Sequence, residues 1–322
     1  MVGESKISVV IPCYHSDSVI DGCIRSIVEK GEGIIDEVIV VDNSEKPIDY
    51  SLLKGAKEIK TDYVFTGKNL GFRNAVNIGV RRARNEIVVV SNPDILLTEE
   101  DTLLTLTVPF SESNVVACTF PVIVHSDRMS NCYHTAFAVP FLISYAEWQI
   151  DRLPPSSIEV QRFSGAFFLL RKSAFEKVGG FFDDIFMYNE EDELSAKLIL
   201  QGYRILFCPT TRVAHQGQHS TGGSPYHLFL YSNWLKGSPV LYSRMSDDAF
   251  WRRIIWWGTY LYQGIEFSII SKSLIPMSVA LSEFLNRHEQ AISDRLSTHN
   301  LWNLRFFIEE KKRLFRSIIF SR

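Results

Sequence analysis

The sequence has no Cys-x-x-Cys pair: Cys13, Cys23, Cys118, Cys132 and Cys208 are scattered, which argues against a zinc knuckle and a disulfide framework and predicts a reducing compartment. No charge of one sign dominates. Lys and Arg total 34 against 37 Asp and Glu, a formal net charge of −3, so there is no electrostatic reason for a nucleic-acid partner. No uncharged apolar run reaches the roughly 18 residues of a membrane span. The opening Met-Val-Gly-Glu-Ser-Lys leads straight into a short apolar segment and Pro12, a pattern that predicts no signal peptide. Internal repeats and low-complexity stretches are also missing. The expectation is a cytoplasmic protein, free in solution or held peripherally at the inner face of the plasma membrane.

What is present is apolar residues in quantity. The 322 residues are 46% hydrophobic, enough to bury the core of one large α/β domain with an appendage, or of two domains. Ile7 to Ile11, Val38 to Val41 and Ile87 to Val90 are short β-branched runs, as in parallel strands buried on both faces. Helical patterns lie between them, at about Val19 to Lys30, with Ile20, Cys23, Ile24 and Ile27 on one face, and at about Phe72 to Ala83. From about Leu96 to Val160 the alternation loosens and Pro109, Pro121, Pro140, Pro154 and Pro155 predict inserted strands and loops. Phe163 to Leu170 then reads as a strand, Lys172 to Val178 as a short helix stopped by Gly179 and Gly180, Glu190 to Gln201 as a helix stopped by Gly202, and Arg204 to Phe207 as a strand. After about Tyr226 the composition turns aromatic and basic, with no Gly beyond Gly264, which predicts a helical C-terminal region.

Polar residues gather where the predicted strands end. Ser91-Asn92-Pro93-Asp94 follows a strand directly, and ligands of open parallel sheets bind beyond the carboxyl ends of strands. A carboxylate there can hold Mg²⁺ or Mn²⁺ against a diphosphate, or Asp94 can simply close a turn on its own backbone. Asp42-Asn43-Ser44 ends another strand and suits a base or ribose edge, with a strand-ending turn as the alternative. The turn Asn69-Leu70-Gly71-Phe72-Arg73-Asn74 precedes a helix whose N-terminus is a ready anion site. Ser164-Gly165-Ala166 are small residues in a bulky strand and allow close approach of a ligand or of another strand.

The densest acidic cluster is Glu190-Glu191-Asp192-Glu193, with Asn189 placed as an N-cap. Acids in a first helical turn complement the helix dipole. Glu193 stands four residues before Lys197 and reads as a surface pair, whereas Glu191 shares the face of Leu194, Ser195 and Leu198. Glu191 is therefore the candidate general base, with Glu190 second. Among eight histidines, His215 stands out: a neutral imidazole can join Asp94 and Asn92 around a divalent metal.

In order, these segments resemble the family 2 glycosyltransferases of the GT-A fold, in the rhamnosyltransferase and galactofuranosyltransferase-like branch, over about Ile7 to Ser220. Ser8-Val9-Val10-Ile11-Pro12-Cys13-Tyr14 is similar to the family's opening strand, Val41-Asp42-Asn43-Ser44 to its second nucleotide-binding strand, and Asn69 to Gly79 to its Asn-rich helix start. Asn92-Pro93-Asp94 stands where the metal-binding D-x-D motif belongs, with Asn in place of the first Asp. Gly165-Ala166 with Arg171-Lys172, then Val178-Gly179-Gly180-Phe181 and Phe186 to Glu191, resemble the acceptor-side block, with Glu191 in place of the commoner catalytic Asp. The resemblance implies an α/β fold and a catalytic domain over 1–225, its nucleotide-sugar half about 1–95 and its acceptor half about 96–225.

Pro12, Tyr14, Asp42, Asn43, Asn69, Gly71, Arg73, Asn92, Asp94, Gly165 and Ala166 would then bind the nucleotide-sugar, and Asp94, His215 and Asn92 a divalent metal. It further implies an inverting transfer of a sugar, from dTDP-rhamnose first and a UDP-sugar second, to a glycan or lipid-linked acceptor in surface polysaccharide synthesis. A non-catalytic carbohydrate-binding protein of the same fold is the reading of another class. A sugar-phosphate nucleotidyltransferase needs a Gly-rich basic loop after the first strand, and Pro12-Cys13-Tyr14-His15-Ser16 has neither Gly nor Lys or Arg. Residues 226–322 end in a basic, aromatic stretch that suits a membrane surface or a homo-oligomer contact.

Overall fold

Backbone polar groups of buried apolar runs must pair with one another, and here they pair in one mixed sheet. The computed structural model describes residues 6–125 apart from 32, 50, 52 and 54–58, then 132–137, 143–148, 153–160, 162–183 and 190–216. All of these except 137, 143 and 144 belong to one unit of the chain. The expected N-cap Asn189 and the C-terminal region 226–322, with its membrane and oligomer readings, lie outside the described residues.

In chain order the elements are β1 (Ile7–Cys13), α1 (Ile20–Lys30), β2 (Ile35–Asp42), β3 (Lys60–Phe65), α2 (Phe72–Arg82), β4 (Ile87–Ser91), β5 (Ile95–Leu97), α3 (Thr102–Glu112), β6 (Val116–His125), β7 (Cys132–Phe137), β8 (Ile143–Trp148), β9 (Ile158–Val160), β10 (Phe167–Arg171), α4 (Lys172–Lys177), α5 (Glu190–Leu200) and β11 (Arg204–His215). The main sheet runs β3-β2-β1-β4-β10-β6-β11-β5, with β9 beside β11, and β7 pairs with β8 separately. β1 is parallel to β2 and β4, and β10 is antiparallel to β4 and β6. Strand order reverses between β1 and β4, the switch point outside which open α/β sheets bind ligands.

Alternation along each strand divides the core in two. Val9, Ile11, Val38, Val40, Val89, Phe167 and Leu169 face α1 and α3, and bury Ile20, Cys23, Ile24, Ile27, Leu103, Leu106 and Phe110. Val10, Ile39, Val41, Val88, Val90, Phe168 and Leu170 face α2, α4 and α5, and bury Ala75, Val76, Val80, Phe175, Leu194 and Leu198. The result is a sheet covered by helices on both faces. Both helices predicted between the first strands form as expected.

β3 and β5 are not foreseen in the sequence, and three further elements differ from its reading. Residues 102–112 form α3 with Pro109 inside it, where Pro109 and three threonines predict no helix; apolar contacts of Leu103, Leu106 and Phe110 outweigh that local preference. The strand expected from Phe163 begins only at Phe167, because Gly165 and Ala166 form a turn before it. β11 continues past Phe207 to His215, with its register shifting between Cys208 and Arg212.

One buried charge network joins α2 to α5. Arg73 is fully buried and forms an ion pair with Glu193, which is also fully buried. The other Glu193 oxygen accepts hydrogen bonds from Lys197 Nζ at 2.6 Å and the Phe182 backbone N–H at 2.7 Å. The expected surface pair of Glu193 with Lys197 is thus an interior one. Lys197 also donates to the Gly180 carbonyl at 2.7 Å, and Asn77 of α2 holds both polar backbone groups of Phe181, at 2.8 and 2.9 Å. Removing one partner of a buried pair strands the other charge, at a cost of about 3–5 kcal/mol. Glu193→Gln is expected to lower the unfolding free energy in urea by about that amount; a loss below about 1 kcal/mol would show that Arg73 does not depend on Glu193.

Candidate active site

Strand direction gathers the chemistry on one edge. β1, β2 and β4 run parallel, so Cys13, Asp42 and Ser91 end together. β10 runs the other way with Phe167 opposite Ser91, which puts the turn 162–166 at the same edge. β11 pairs antiparallel with β5 and places His215 opposite Ile95, next in sequence to Asp94.

Asp94 and His215 meet there. His215 Nε2 lies 3.2 Å from Asp94 Oδ1, the carboxylate being 7% and the imidazole 14% exposed. The Gln216 N–H donates to the Asp94 carbonyl at 3.0 Å and ties the two segments of the chain together. Beside them the Asn92 N–H donates to the Ala166 carbonyl at 2.8 Å. An oxygen and a nitrogen donor this close suit Mn²⁺ or another divalent ion of the first transition row. Among the described residues no group of three His, Cys, Asp or Glu that could hold a metal ion gathers.

Glu191 stands at the start of α5 and turns toward the same edge. Its Oε1 accepts the Gly165 N–H at 3.1 Å, and its Oε2 lies 3.6 Å from Arg162 Nη2. The space around Gly165 is taken by Glu191, since a Cβ there would lie 2.5 Å from Oε1. Glu190 does not share this position. It is 6% exposed and faces Arg73, with Oε1 3.9 Å from Nε, at the border of the buried charge network.

The nucleotide-side residues divide into those at the rim and those beneath it. Asp42 is fully buried, accepting from the Ser44 N–H at 2.9 Å on one oxygen and from the Ile48 N–H at 3.0 Å and Tyr63 OH at 2.6 Å on the other. Rather than offering an edge to a base or ribose, it shapes the loop after β2. Burial and this bond push the Tyr63 phenol above its ordinary range. Asn43 is buried and donates to the Gly71 carbonyl at 3.0 Å, and Asn69 Oδ1 accepts the Gly71 N–H at 3.0 Å. Gly71 adopts φ 82°, a conformation that favours glycine. Arg73, expected at the ligand, is buried, pairs with Glu193 and Glu190, and lies over the Phe181 ring at 5.9 Å. Pro12 lies beyond the β1–β4 ladder, which ends at Val10, so its missing N–H interrupts nothing on that side. Tyr14 is half-buried at the rim, its ring 4.2 Å from His15, and His15 pairs with Glu45 at 3.0 Å.

Arg162, Asn77 and Tyr63 were not singled out by the sequence, and no local pattern marks them: each meets its partner 14 or more residues away in the chain.

Comparison with known proteins adds an independent line. The sequence model described as "Glycosyl transferase family 2" matches residues 8–179. The chain is 28% identical over 222 residues to the N-acetylglucosaminyl-diphospho-decaprenol L-rhamnosyltransferase of Mycobacterium tuberculosis, covering 60% of this chain and 69% of that one. It is 23% identical over 220 residues to the O-antigen chain rhamnosyltransferase RfbN of Salmonella typhimurium, covering 67% and 68%. Among solved structures, GalNAc-T7 with UDP, GalNAc and Mn²⁺ superposes with a TM-score of 0.57 at 17% identity, over 84% of this chain and 59% of that one. That likeness concerns the fold, which is GT-A.

Cys23 of α1 lies under this edge, its Sγ 3.4 Å from the Asn92 carbonyl. Burial pushes its thiol from 9.0 up to about 12, offset in part by the Ser91 contact, with Asp94 adding to the rise. The folded chain therefore keeps a proton that the unfolded chain releases near pH 9. The resulting stability is whole below pH 9 and lost as pH climbs from 9 toward 12, at up to about 1.4 kcal/mol per pH unit. In Cys23→Ala, stability measured in urea above pH 9 is expected to fall less steeply than in the parent; identical slopes would rule this out.

Proposed function

This chain belongs to glycosyl transferase family 2, and from that premise we propose that it transfers a sugar, L-rhamnose before others, from a nucleotide-sugar to a hydroxyl of a glycan or lipid-linked acceptor. Of the relatives named above, one is an N-acetylglucosaminyl-diphospho-decaprenol L-rhamnosyltransferase and the other an O-antigen chain rhamnosyltransferase, which supports a role in polysaccharide synthesis, with dTDP-rhamnose as donor and a UDP-sugar as the next choice. The observation that carries the reading is the chain of contacts Asn92 to Ala166 and Gly165 to Glu191. It sets a carboxylate from α5 beside the strand end that bears Asp94 and His215.

The proposed reaction is a single displacement. The acceptor oxygen attacks the anomeric carbon, its proton passes to Glu191, and the bond from that carbon to the diphosphate oxygen breaks with the electron pair leaving on the nucleoside diphosphate. One displacement inverts the anomeric centre, and no covalent intermediate forms. Asp94 and His215, aided by Asn92, would hold the divalent cation, which when bound supplies positive charge against the diphosphate. Tyr14, Asn69, Gly71, Asn92, Gly165 and Ala166 form the nucleotide-sugar rim in this reading, while Pro12, Asp42, Asn43 and Arg73 shape it from below. Residues 1–225 are the catalytic domain.

Among the described residues no helix is long and apolar enough to cross a membrane. Calorimetric titration with dTDP, UDP and GDP, each with Mn²⁺ and again with EDTA, is expected to show metal-dependent binding of one nucleotide. Glu191→Gln should retain that binding while transfer falls roughly 10² to 10⁴-fold, the usual worth of a general base. Binding of no nucleotide under any condition would overturn the transferase reading in favour of a carbohydrate-binding protein.

A further inference from the structure

We infer that the turn 162–166 is a clamp for the base, in which Arg162 is a positioning residue and the Gly165 N–H is its partner. This deepens the reading above and rests on Glu191 being the base. The two groups take one carboxylate oxygen each: the Gly165 N–H donates to Oε1 at 3.1 Å, and Arg162 Nη2 stands 3.6 Å from Oε2. The second distance is too long for a hydrogen bond and is an ion-pair contact, which acts through charge.

The turn is itself fixed. Phe163 is 2% exposed with its ring centroid 4.5 Å from that of Phe168, and the Ala166 carbonyl accepts the Asn92 N–H. Glu191 is a long side chain with three rotatable bonds, and its neighbour Glu190 is drawn off to Arg73. Without a hold on both oxygens the carboxylate would swing, and a misplacement of about 1 Å costs on the order of 10²-fold in rate. The clamp also links the base to the donor side, because the same turn bonds Asn92. Arg162 remains charged at all working pH values and its side chain is 16% exposed, so solvent screens the contact little. Gly165 has no substitute in this arrangement: a Cβ would collide with the end of Glu191, a flexible group that moves aside rather than unfolding the chain.

The test uses the full chain with release of dTDP from dTDP-rhamnose, and of UDP from UDP-galactose in parallel, with and without acceptor glycan. Arg162→Ala, Arg162→Lys, Gly165→Ala and Glu191→Gln are compared by kcat, KM and calorimetric affinity for dTDP and UDP. In Arg162→Ala, kcat is expected to fall roughly 10 to 10²-fold with donor KM and nucleotide affinity within about 2-fold, and Arg162→Lys to recover most of the loss. Gly165→Ala should lower kcat to a similar degree. If Arg162→Ala fails to bind nucleotide because it does not fold, the Lys and Gly165 variants decide. Parent-like kcat in Arg162→Ala and Gly165→Ala, with Glu191→Gln inactive, would overturn the clamp and leave the base standing. A raised acceptor KM at unchanged kcat in Arg162→Ala would make Arg162 an acceptor ligand and overturn it too. Full activity in Glu191→Gln would remove the base, and the clamp with it.

Discussion

Arg73 and Glu193 are both shut away from water and pair with each other, and the geometry of the site depends on that pairing. Two ions inside a protein are costly to desolvate, and their attraction alone adds little net stability over apolar packing. What they supply here is position. Arg73 starts α2, which follows the Gly71 turn, and Glu193 lies in the first turn of α5, two residues after Glu191. Neither charge can be left alone, so the two helices hold one relative placement. Lys197 and the Phe182 N–H complete the Glu193 shell, and Asn77 ties down Phe181 on the chain leading toward α5.

On that frame the edge of the sheet works as a collecting line. Strands bring their carboxyl ends to it because β1, β2 and β4 are parallel, and β10 starts there because it runs the opposite way. The turn 162–166 then reaches Asn92 with one carbonyl and Glu191 with one N–H. Three acids divide by role: Asp42 spends its oxygens on the loop after β2 and on Tyr63, Glu193 on the helix joint, and Glu191 alone among these three faces the turn at the rim.

β1, β2, β4, α1 and α2 were legible because their apolar residues recur with helical or strand period, and burial follows that period directly; β3 and β5 were not, β3 being only partly buried and β5 three residues long. Glu191 was legible for the same reason, since its face is that of Leu194, Ser195 and Leu198. α3 was not, because Pro109 and its threonines oppose a helix locally while its contacts with the sheet are made at long range. The strand preceding α4 was placed four residues early, because small residues in a bulky run do not announce a turn. Glu193 looked like a surface acid beside Lys197, since a spacing of four residues does not reveal an arginine arriving from α2.

The sequence by itself determined β1, β2, β4, α1 and α2, the polar stretches at the ends of two of those strands that carry Asp42 and Asp94, and the acidic helix start, because these depend on neighbours within one or two turns of the chain. The tertiary structure decided which charges are spent inside. Arg73 and Asp42 read as ligand residues and Glu190 as a second base, and the fold supplies a partner for each; Arg162 carried no mark until the turn placed it beside Glu191. The physical reason is that a charged side chain takes its role from the groups that replace its water, and for Arg73, Glu190 and Arg162 those groups lie on elements distant in the chain.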